Sequence, residues 1–243
     1  MDADLERDGD LRVGPDGRVT EAHLDDTVEV IDATGCVVTP GLVNAHHHLL
    51  QSGFRTLPGT RGVPMHEWLP AMATAYGQAG IDASLTGATA GVGLAESLLC
   101  GVTTVADHQL NWPPPVGPDP VSDTVSIARA VADAATRVGA RLVFVRGTAR
   151  DDPGVAAESA EAIVAELLPD GHDGGVALDG WVQVAVGPAG VHSDAEETFL
   201  ALGEVARRHG LRRRAQAGEQ VDTRTRWRAR IGNGCRICSS WRG

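Results

Sequence analysis

The stretch Val38-Thr39-Pro40-Gly41-Leu42-Val43-Asn44-Ala45-His46-His47-His48 decides how the rest of the chain is interpreted. The apolar pair Leu42-Val43 predicts a buried strand, and the three histidines follow at its C-terminal end. Residues i and i+2 of a strand point to the same face, so His46 and His48 can converge on one metal ion while His47 points away. The alternative is a polar surface cluster that holds no ligand. We expect a metal site with His46 and His48 as ligands.

The composition of the 243 residues restricts the class of protein. No apolar run approaches the ~20 residues that a membrane span requires, and no signal segment opens the chain. Four unevenly spaced cysteines do not make a disulfide scaffold, which favours a cytoplasmic location. Residues 1–206 carry 10 basic and 30 acidic residues, and such an acidic body argues against nucleic acid as the main partner.

From residue 37 onward, predicted strands alternate with predicted helices, which is typical of parallel βα units. Enzymes built on barrels of such units place their sites at the C-terminal ends of the strands, and a complete barrel needs eight units and ~250 residues. This chain supplies about five units, so the fold class that we expect is α/β, a partial barrel. After the first strand, the predicted strands are 102–106, 141–145, 181–186 and 211–217. A first helix is predicted to start at 64, and further helices are predicted at 84–99, 122–138 and 155–168. Ser193 or Asp194 is predicted to cap a last helix, which ends near 209.

Two predictions concern details of these elements. In the helix at 84–99, helical spacing predicts that one face is shared by Leu85, Ala88, Val92, Ala95 and Leu99. In the turn-rich residues 1–36, short strands are predicted at 11–13 and 28–31.

Residues 39–48 resemble the Pro-Gly-hydrophobic-(Asn/Asp)-x-His-x-His start of the amidohydrolase superfamily. The longer form His-His-His-x-x-Gln, which ends at Gln51, is similar to the branch that deaminates purine-like and triazine rings, such as 8-oxoguanine deaminase and hydroxyatrazine hydrolase. The resemblance implies a (β/α)8 TIM-type barrel in which the first and third histidines bind one divalent metal ion, zinc or iron. It also implies hydrolytic deamination of a small heterocyclic substrate and full-length relatives that are homo-oligomers. From the acidic composition and the lack of a long apolar run, we expect no nucleic acid or membrane partner.

The resemblance extends to further residues. Gln216-Ala217-Gly218-Glu219 stands where the family has His-x-x-Glu, so Glu219 is implied as the catalytic carboxylate and Gln216 occupies the position of a ligand histidine. An amide is a poor substitute for imidazole on zinc or iron. Gln51 is similar to the family's ring-recognition glutamine, and Asp107 and His108 could contact substrate or orient a ligand. The alternatives are a solvated Glu219, a surface Gln51, and a capping Asp107 beside a loop His108.

Three segments follow from this interpretation: residues 1–36 as the remnant of a small β-sandwich domain, 37–222 as a partial hydrolase barrel, and 223–243 as an aberrant, disordered tail. The tail carries six arginines and no acidic residue. We expect a frameshift to have produced it; the competing hypothesis is an evolved basic arm that binds RNA or anionic lipid. The expected activity is that of a truncated and impaired aminohydrolase, and the alternative is a catalytically dead fragment of such an enzyme.

Overall fold

The computed structural model describes residues 9–14, 17–21, 29–114, 119, 121–190 and 193–216. The chain divides into two units, Met1–Pro40 and Gly41–Gly243. In the first unit, an antiparallel bridge joins Val13 to Val19 around a turn. The strand predicted at 28–31 is wrong for the described residues 29–31, which are exposed and pair with no other described strand. An apolar run without a partner gains nothing from the extended conformation.

The second unit is built on a mixed sheet whose long strands are all parallel. Five strands run in parallel in the order β1, β2, β3, β6, β7, and the short strands β4 and β5 form a hairpin that pairs with the start of β6. The bounds are β1 Leu42–His47, β2 Val102–Gln109, β3 Arg141–Thr148, β4 His172–Asp173, β5 Val176–Ala177, β6 Val182–Pro188 and β7 Arg212–Arg213.

Helices connect the parallel strands, as the sequence pattern predicts. A 3₁₀ helix covers Leu49–Phe54, and the α-helices are α1 Met65–Ala79, α2 Ala83–Leu99, α3 Ser122–Val138, α4 Pro153–Leu167 and α5 Glu196–His209. Asp82 and Asp152 cap α2 and α4 by accepting hydrogen bonds from backbone N–H groups in the first turn. Gly139 and Gly210 end α3 and α5 in the left-handed conformation. None of the described helices is long and apolar enough to span a membrane.

The hydrophobic core lies between the sheet and its helices. Val105 of β2 pairs with Leu142 of β3, and Phe144 of β3 pairs with Val184 of β6. These side chains face the same side of the sheet and belong to one buried cluster with helix residues such as Ile163 of α4 and Leu202 of α5. Because side chains alternate along a strand, the intervening residues face the opposite side of the sheet. This second face carries the candidate site.

The predicted parallel βα units are confirmed, with several local corrections. The prediction that Leu42 and Val43 are buried is wrong: they are 59% and 67% exposed, because β1 is an edge strand that pairs with β2 alone among the described strands. The face of α2 that the helical spacing groups together is not the buried one. Val92 is 52% exposed, and the face that packs is made of small residues such as Gly93 and Thr89.

Two boundaries differ from the predictions as well. Ala195, rather than Ser193 or Asp194, is the N-cap residue of α5, and it offers no side-chain hydrogen bond. Of the strand predicted at 211–217, residues 211–216 are described, and among these the strand covers only Arg212–Arg213. Its arginines are exposed or half-buried, which avoids the cost of placing unpaired cations in a core.

Candidate metal centre

β1 and the residue after it carry two histidines to the same end of the sheet. The ring centroids of His46 and His48 are 4.9 Å apart, with the rings nearly perpendicular. His47 lies between them in sequence and, by strand alternation, on the helix-facing side. The structure therefore brings together the two side chains that the sequence predicts as ligands.

A third imidazole, from β2, lies beside this pair. The ring of His108 is 5.5 Å from that of His46 and 6.0 Å from that of His48 between centroids. Asp107 is paired in register with His47 on the neighbouring strand, so His108 falls on the same face as His46 and His48. The sequence analysis gave His108 two alternatives, a substrate contact or a residue that orients a ligand, and did not predict its place beside the two β1 imidazoles. The alternation rule that pairs His46 with His48, applied to β2, could have found it.

Backbone carbonyl groups fix which nitrogen of each ring carries the proton. His48 Nδ1 lies 2.6 Å from the carbonyl oxygen of His108, and His108 Nε2 lies 2.7 Å from the carbonyl oxygen of Gly187. A carbonyl oxygen only accepts, so both of these nitrogens donate. The lone pairs of the neutral rings are then on His48 Nε2 and His108 Nδ1.

These two lone pairs converge on Gln216. Its side-chain nitrogen lies 3.3 Å from His48 Nε2 and 3.4 Å from His108 Nδ1. Arg214 positions this segment: its backbone N–H donates to the carbonyl of Val186, and its guanidinium donates to the carbonyl of Ala45 at 3.0 Å. The amide thus lies between two imidazoles, at the position where the family resemblance implies a ligand histidine.

Two glycines make room for the His108 ring. A Cβ on Gly147 would lie 2.7 Å from His108 Cδ2, and a Cβ on Gly187 would lie 3.2 Å from His108 Nε2 and would collide with the Arg214 carbonyl oxygen. Both glycines are at the C-terminal ends of their strands, β3 and β6. No larger residue fits at either position without moving the ring or the neighbouring chain.

Asp107 supports the cluster from behind. It is fully buried, and its Oδ1 accepts a hydrogen bond of 2.8 Å from the backbone N–H of Leu49, the residue that follows His48. Its other oxygen, Oδ2, has no partner among the described residues. Burial raises the pKa of this carboxyl group to about 7. The carboxyl group contacts the backbone next to His48, which is the geometry of a residue that orients a ligand.

The environment keeps the clustered imidazoles neutral. Burial, together with the neighbouring histidines, lowers the pKa of His48 to about 4. The pKa of His108 is lowered to about 4 by burial first, and by His48, His46 and the Arg214 guanidinium. A neutral imidazole is the form that binds a metal.

A buried cation stabilises the strand ends on the helix-facing side. The Arg146 guanidinium pairs with Asp151 at 2.7 Å, donates to Ser159 Oγ at 2.7 Å, and lies 4.6 Å from the ring centroid of Trp112. Burial lowers its pKa, an effect that Asp151 opposes. This arrangement holds the loops after β2 and β3 in place.

The sequence profile of the Amidohydrolase family matches residues 37–237. The chain belongs to the Amidohydrolase family. The family resemblance seen in the first histidine motif is therefore confirmed.

Individual members of the Amidohydrolase family give the extent of the match. An 8-oxoguanine deaminase of Pseudomonas aeruginosa is 32% identical over 202 residues, which are 79% of this chain and 42% of that protein. An isoxanthopterin deaminase of an unknown prokaryotic organism is 30% identical over 204 residues, 79% of this chain and 40% of that protein. The crystal structure of an atrazine chlorohydrolase from Arthrobacter aurescens TC1 complexed with zinc superimposes with a TM-score of 0.65 at 26% identity, covering 83% of this chain and 45% of that one. The chain spans less than half the length of these relatives. The structural match confirms the predicted partial TIM-type (β/α)8 fold.

The remaining predicted site residues are placed as follows. Gln51 lies half-buried in the 3₁₀ helix. Its backbone N–H donates to the His48 carbonyl oxygen at 3.0 Å, and its side chain lies beside the Tyr76 hydroxyl. Glu219 lies outside the described residues, so its role stays a prediction.

The donor set of this chain fits a divalent metal in part. Neutral imidazoles at the end of β1 are suitable ligands for zinc or iron. In the described part of the chain, however, no three histidine, cysteine, aspartate or glutamate side chains are arranged to hold a metal ion together. The amide of Gln216 directs hydrogens, not a lone pair, at the histidines. The imidazoles therefore fit a metal, and the side chain at position 216 does not.

Proposed function

We propose that this chain is an impaired metal-dependent aminohydrolase, which hydrolytically deaminates a purine-like or related heterocycle such as 8-oxoguanine. The reaction replaces a ring amino group by the oxygen of water and releases ammonia. The observation that carries the proposal is the convergence of His46 and His48 at the end of β1. Family membership supports it, as does the similarity to deaminases of 8-oxoguanine and isoxanthopterin.

The chain's own residues divide the work. His46 and His48 would hold one divalent ion, zinc or iron, and Asp107 would keep the backbone beside His48 in place. When bound, such an ion lowers the pKa of water and so supplies a nucleophile near neutral pH. Glu219 would move protons to the ring nitrogen and the leaving amine, and Gln51 would donate and accept hydrogen bonds at the edge of the heterocycle.

The position of Gln216 favours a second candidate, a chain without activity of its own. Two histidines hold a metal less firmly than three, and the amide takes the place of the third. The division into residues 1–36, 37–222 and 223–243 belongs to the same proposal, with the middle segment as the hydrolase part.

Ammonia release decides between these candidates. We would purify the full chain, load it with Zn²⁺ or Fe²⁺, and measure ammonia from 8-oxoguanine, guanine, cytosine and hydroxyatrazine. An impaired enzyme releases ammonia slowly from one of these substrates, and His46→Asn combined with His48→Asn abolishes the release. A rate that is unchanged in the double variant would contradict the proposed site. No release from any substrate would identify the inactive alternative.

A further inference from the structure

The side chain of Gln216 has a defined relation to the two imidazoles that it contacts. Its nitrogen is 3.3 Å from His48 Nε2 and 3.4 Å from His108 Nδ1, and the carbonyl contacts of the two rings leave lone pairs on those nitrogens. An amide NH₂ group has two N–H donors, one for each lone pair. An amide oxygen in the same place would face two acceptors and repel them, so the hydrogen-bond network determines which end of the amide is there.

We propose that the Gln216 carboxamide binds His48 and His108 in place of a divalent cation and competes with metal for their lone pairs. In this view, His108 is a potential metal ligand of this chain and Gln216 is not a ligand at all. The inference rests on the proposed function only in taking this cluster as the metal site.

Competition follows from the use of the same lone pairs. Zinc binds imidazole nitrogen at ~2.0–2.1 Å along the lone-pair direction. A cation that is bound to His48 Nε2 and His108 Nδ1 would occupy the directions along which the amide hydrogens now lie. The metal and the amide hydrogen bonds cannot be present together, so metal binding must first break the Gln216 contacts.

The surrounding structure holds the amide in this position. The backbone N–H of Arg214 is bonded to Val186 on β6, and the Arg214 guanidinium is bonded to the Ala45 carbonyl on β1. Arg214, which lies two residues before Gln216, is therefore bonded to two strands of the parallel sheet, β6 and β1. The arginine also adds a positive charge close to the site, and this charge further disfavours a cation.

The first test measures Co²⁺ binding by visible absorption in the full chain, without substrate. Gln216→Ala is expected to bind Co²⁺ about tenfold more tightly than the wild-type chain, because binding no longer breaks the amide hydrogen bonds. Gln78→Ala, which removes an exposed glutamine on α1, is the matched control and should leave the affinity unchanged. His108→Ala in the Gln216→Ala background should reverse the gain. Weaker or equal binding by Gln216→Ala would overturn the proposal, since weaker binding would make the amide a ligand.

The second test needs no variant and no metal. Nitrogen-15 chemical shifts of the metal-free wild-type chain report which ring nitrogen carries the proton. The proposal requires the Nδ1–H tautomer at His48 and the Nε2–H tautomer at His108, and the opposite tautomer at either ring would overturn it. Neither test depends on ammonia release, so an inactive chain can still satisfy both.

Discussion

At the scale of single residues, the chemistry of the site depends on which titratable side chains are buried away from solvent. His48 and His108 are mostly buried and have pKa values near 4, while the carboxyl group of Asp107 is fully buried and has a pKa near 7. The convergence of His46 and His48 could be predicted from strand alternation. The role of Gln216 could not be predicted, because it depends on hydrogen bonds between residues that are 60 or more positions apart in the sequence.

These pKa values predict how stability changes with pH. Unfolded histidine has a pKa of about 6.5, so between roughly pH 6.5 and 4 the unfolded chain binds more protons at His48 and His108 than the folded chain does. Their contribution to the free energy of unfolding is complete above pH 6.5 and is lost as the pH falls through 4. Asp107, with a raised pKa, acts in the opposite direction: its contribution is complete below about 3.8 and is lost as the pH rises through 7.

Two histidines outweigh one carboxyl group, so we expect the free energy of unfolding to fall on acidification from pH 6.5 to 4.5. His108→Asn should reduce this slope by up to ~1.4 kcal/mol per pH unit, the value for one proton. Urea titrations at several pH values measure the slope. A His108→Asn variant with an undiminished slope would contradict the assignment of its pKa.

Arg146 permits a second test at this scale. Its guanidinium is 1% exposed and paired with Asp151, whereas Arg129 is 60% exposed and paired with Glu166. Replacing the buried cation leaves Asp151 and Ser159 without their partner, so Arg146→Met should lower the free energy of unfolding by about 3 kcal/mol. Arg129→Met should cost less than about 1 kcal/mol. Equal losses in urea denaturation would show that the buried pair adds nothing to the stability of the strand ends.

At the scale of elements, sequence patterns located strands and helices better than they identified faces. The alternation of strands and helices and the bounds of α3 agree with the prediction. The buried face of α2 could not be identified from the sequence because most of its residues are small and carry no strong apolar signal, Leu94 being its one large apolar side chain. A Cβ on Gly93 would lie 2.4 Å from Ser52 Oγ and 2.9 Å from Leu49 Cδ2, so α2 packs tightly on the 3₁₀ helix that follows His48.

The two glycines of α2 provide a matched pair of variants. Gly93→Ala should destabilise the protein by about 1–3 kcal/mol, because the added methyl group must displace Leu49 or Ser52. Gly91→Ala meets no atom within 4 Å and should stabilise the helix by about 0.5–1 kcal/mol. Thermal unfolding followed by circular dichroism compares them, and a stabilised Gly93→Ala would show that the packing of α2 on the 3₁₀ helix is loose.

At the scale of the whole molecule, β1 combines the candidate ligands with an exposed edge. Leu42 and Val43 are more than half exposed although their sequence reads as a buried strand. A sequence pattern reports the local preference for burial, but whether a neighbour covers the strand depends on the rest of the fold. An uncovered apolar edge strand is prone to pair with other chains.

This edge predicts self-association that a single charge reduces. Val43→Glu should lower the concentration-dependent light scattering of the purified chain, because a carboxylate on the edge strand opposes pairing. Val92→Glu adds the same charge at a 52% exposed position on α2 and should leave the scattering unchanged. If both variants reduce scattering equally, net charge rather than the β1 edge governs association.

Equilibrium binding of Zn²⁺ to the full chain, measured by competition with a chromophoric chelator, tests most directly whether the end of β1 is a metal site. The account predicts that the wild-type chain binds one Zn²⁺ and that His46→Asn combined with His48→Asn removes this binding. Retention of the same Zn²⁺ affinity in the double variant would contradict it.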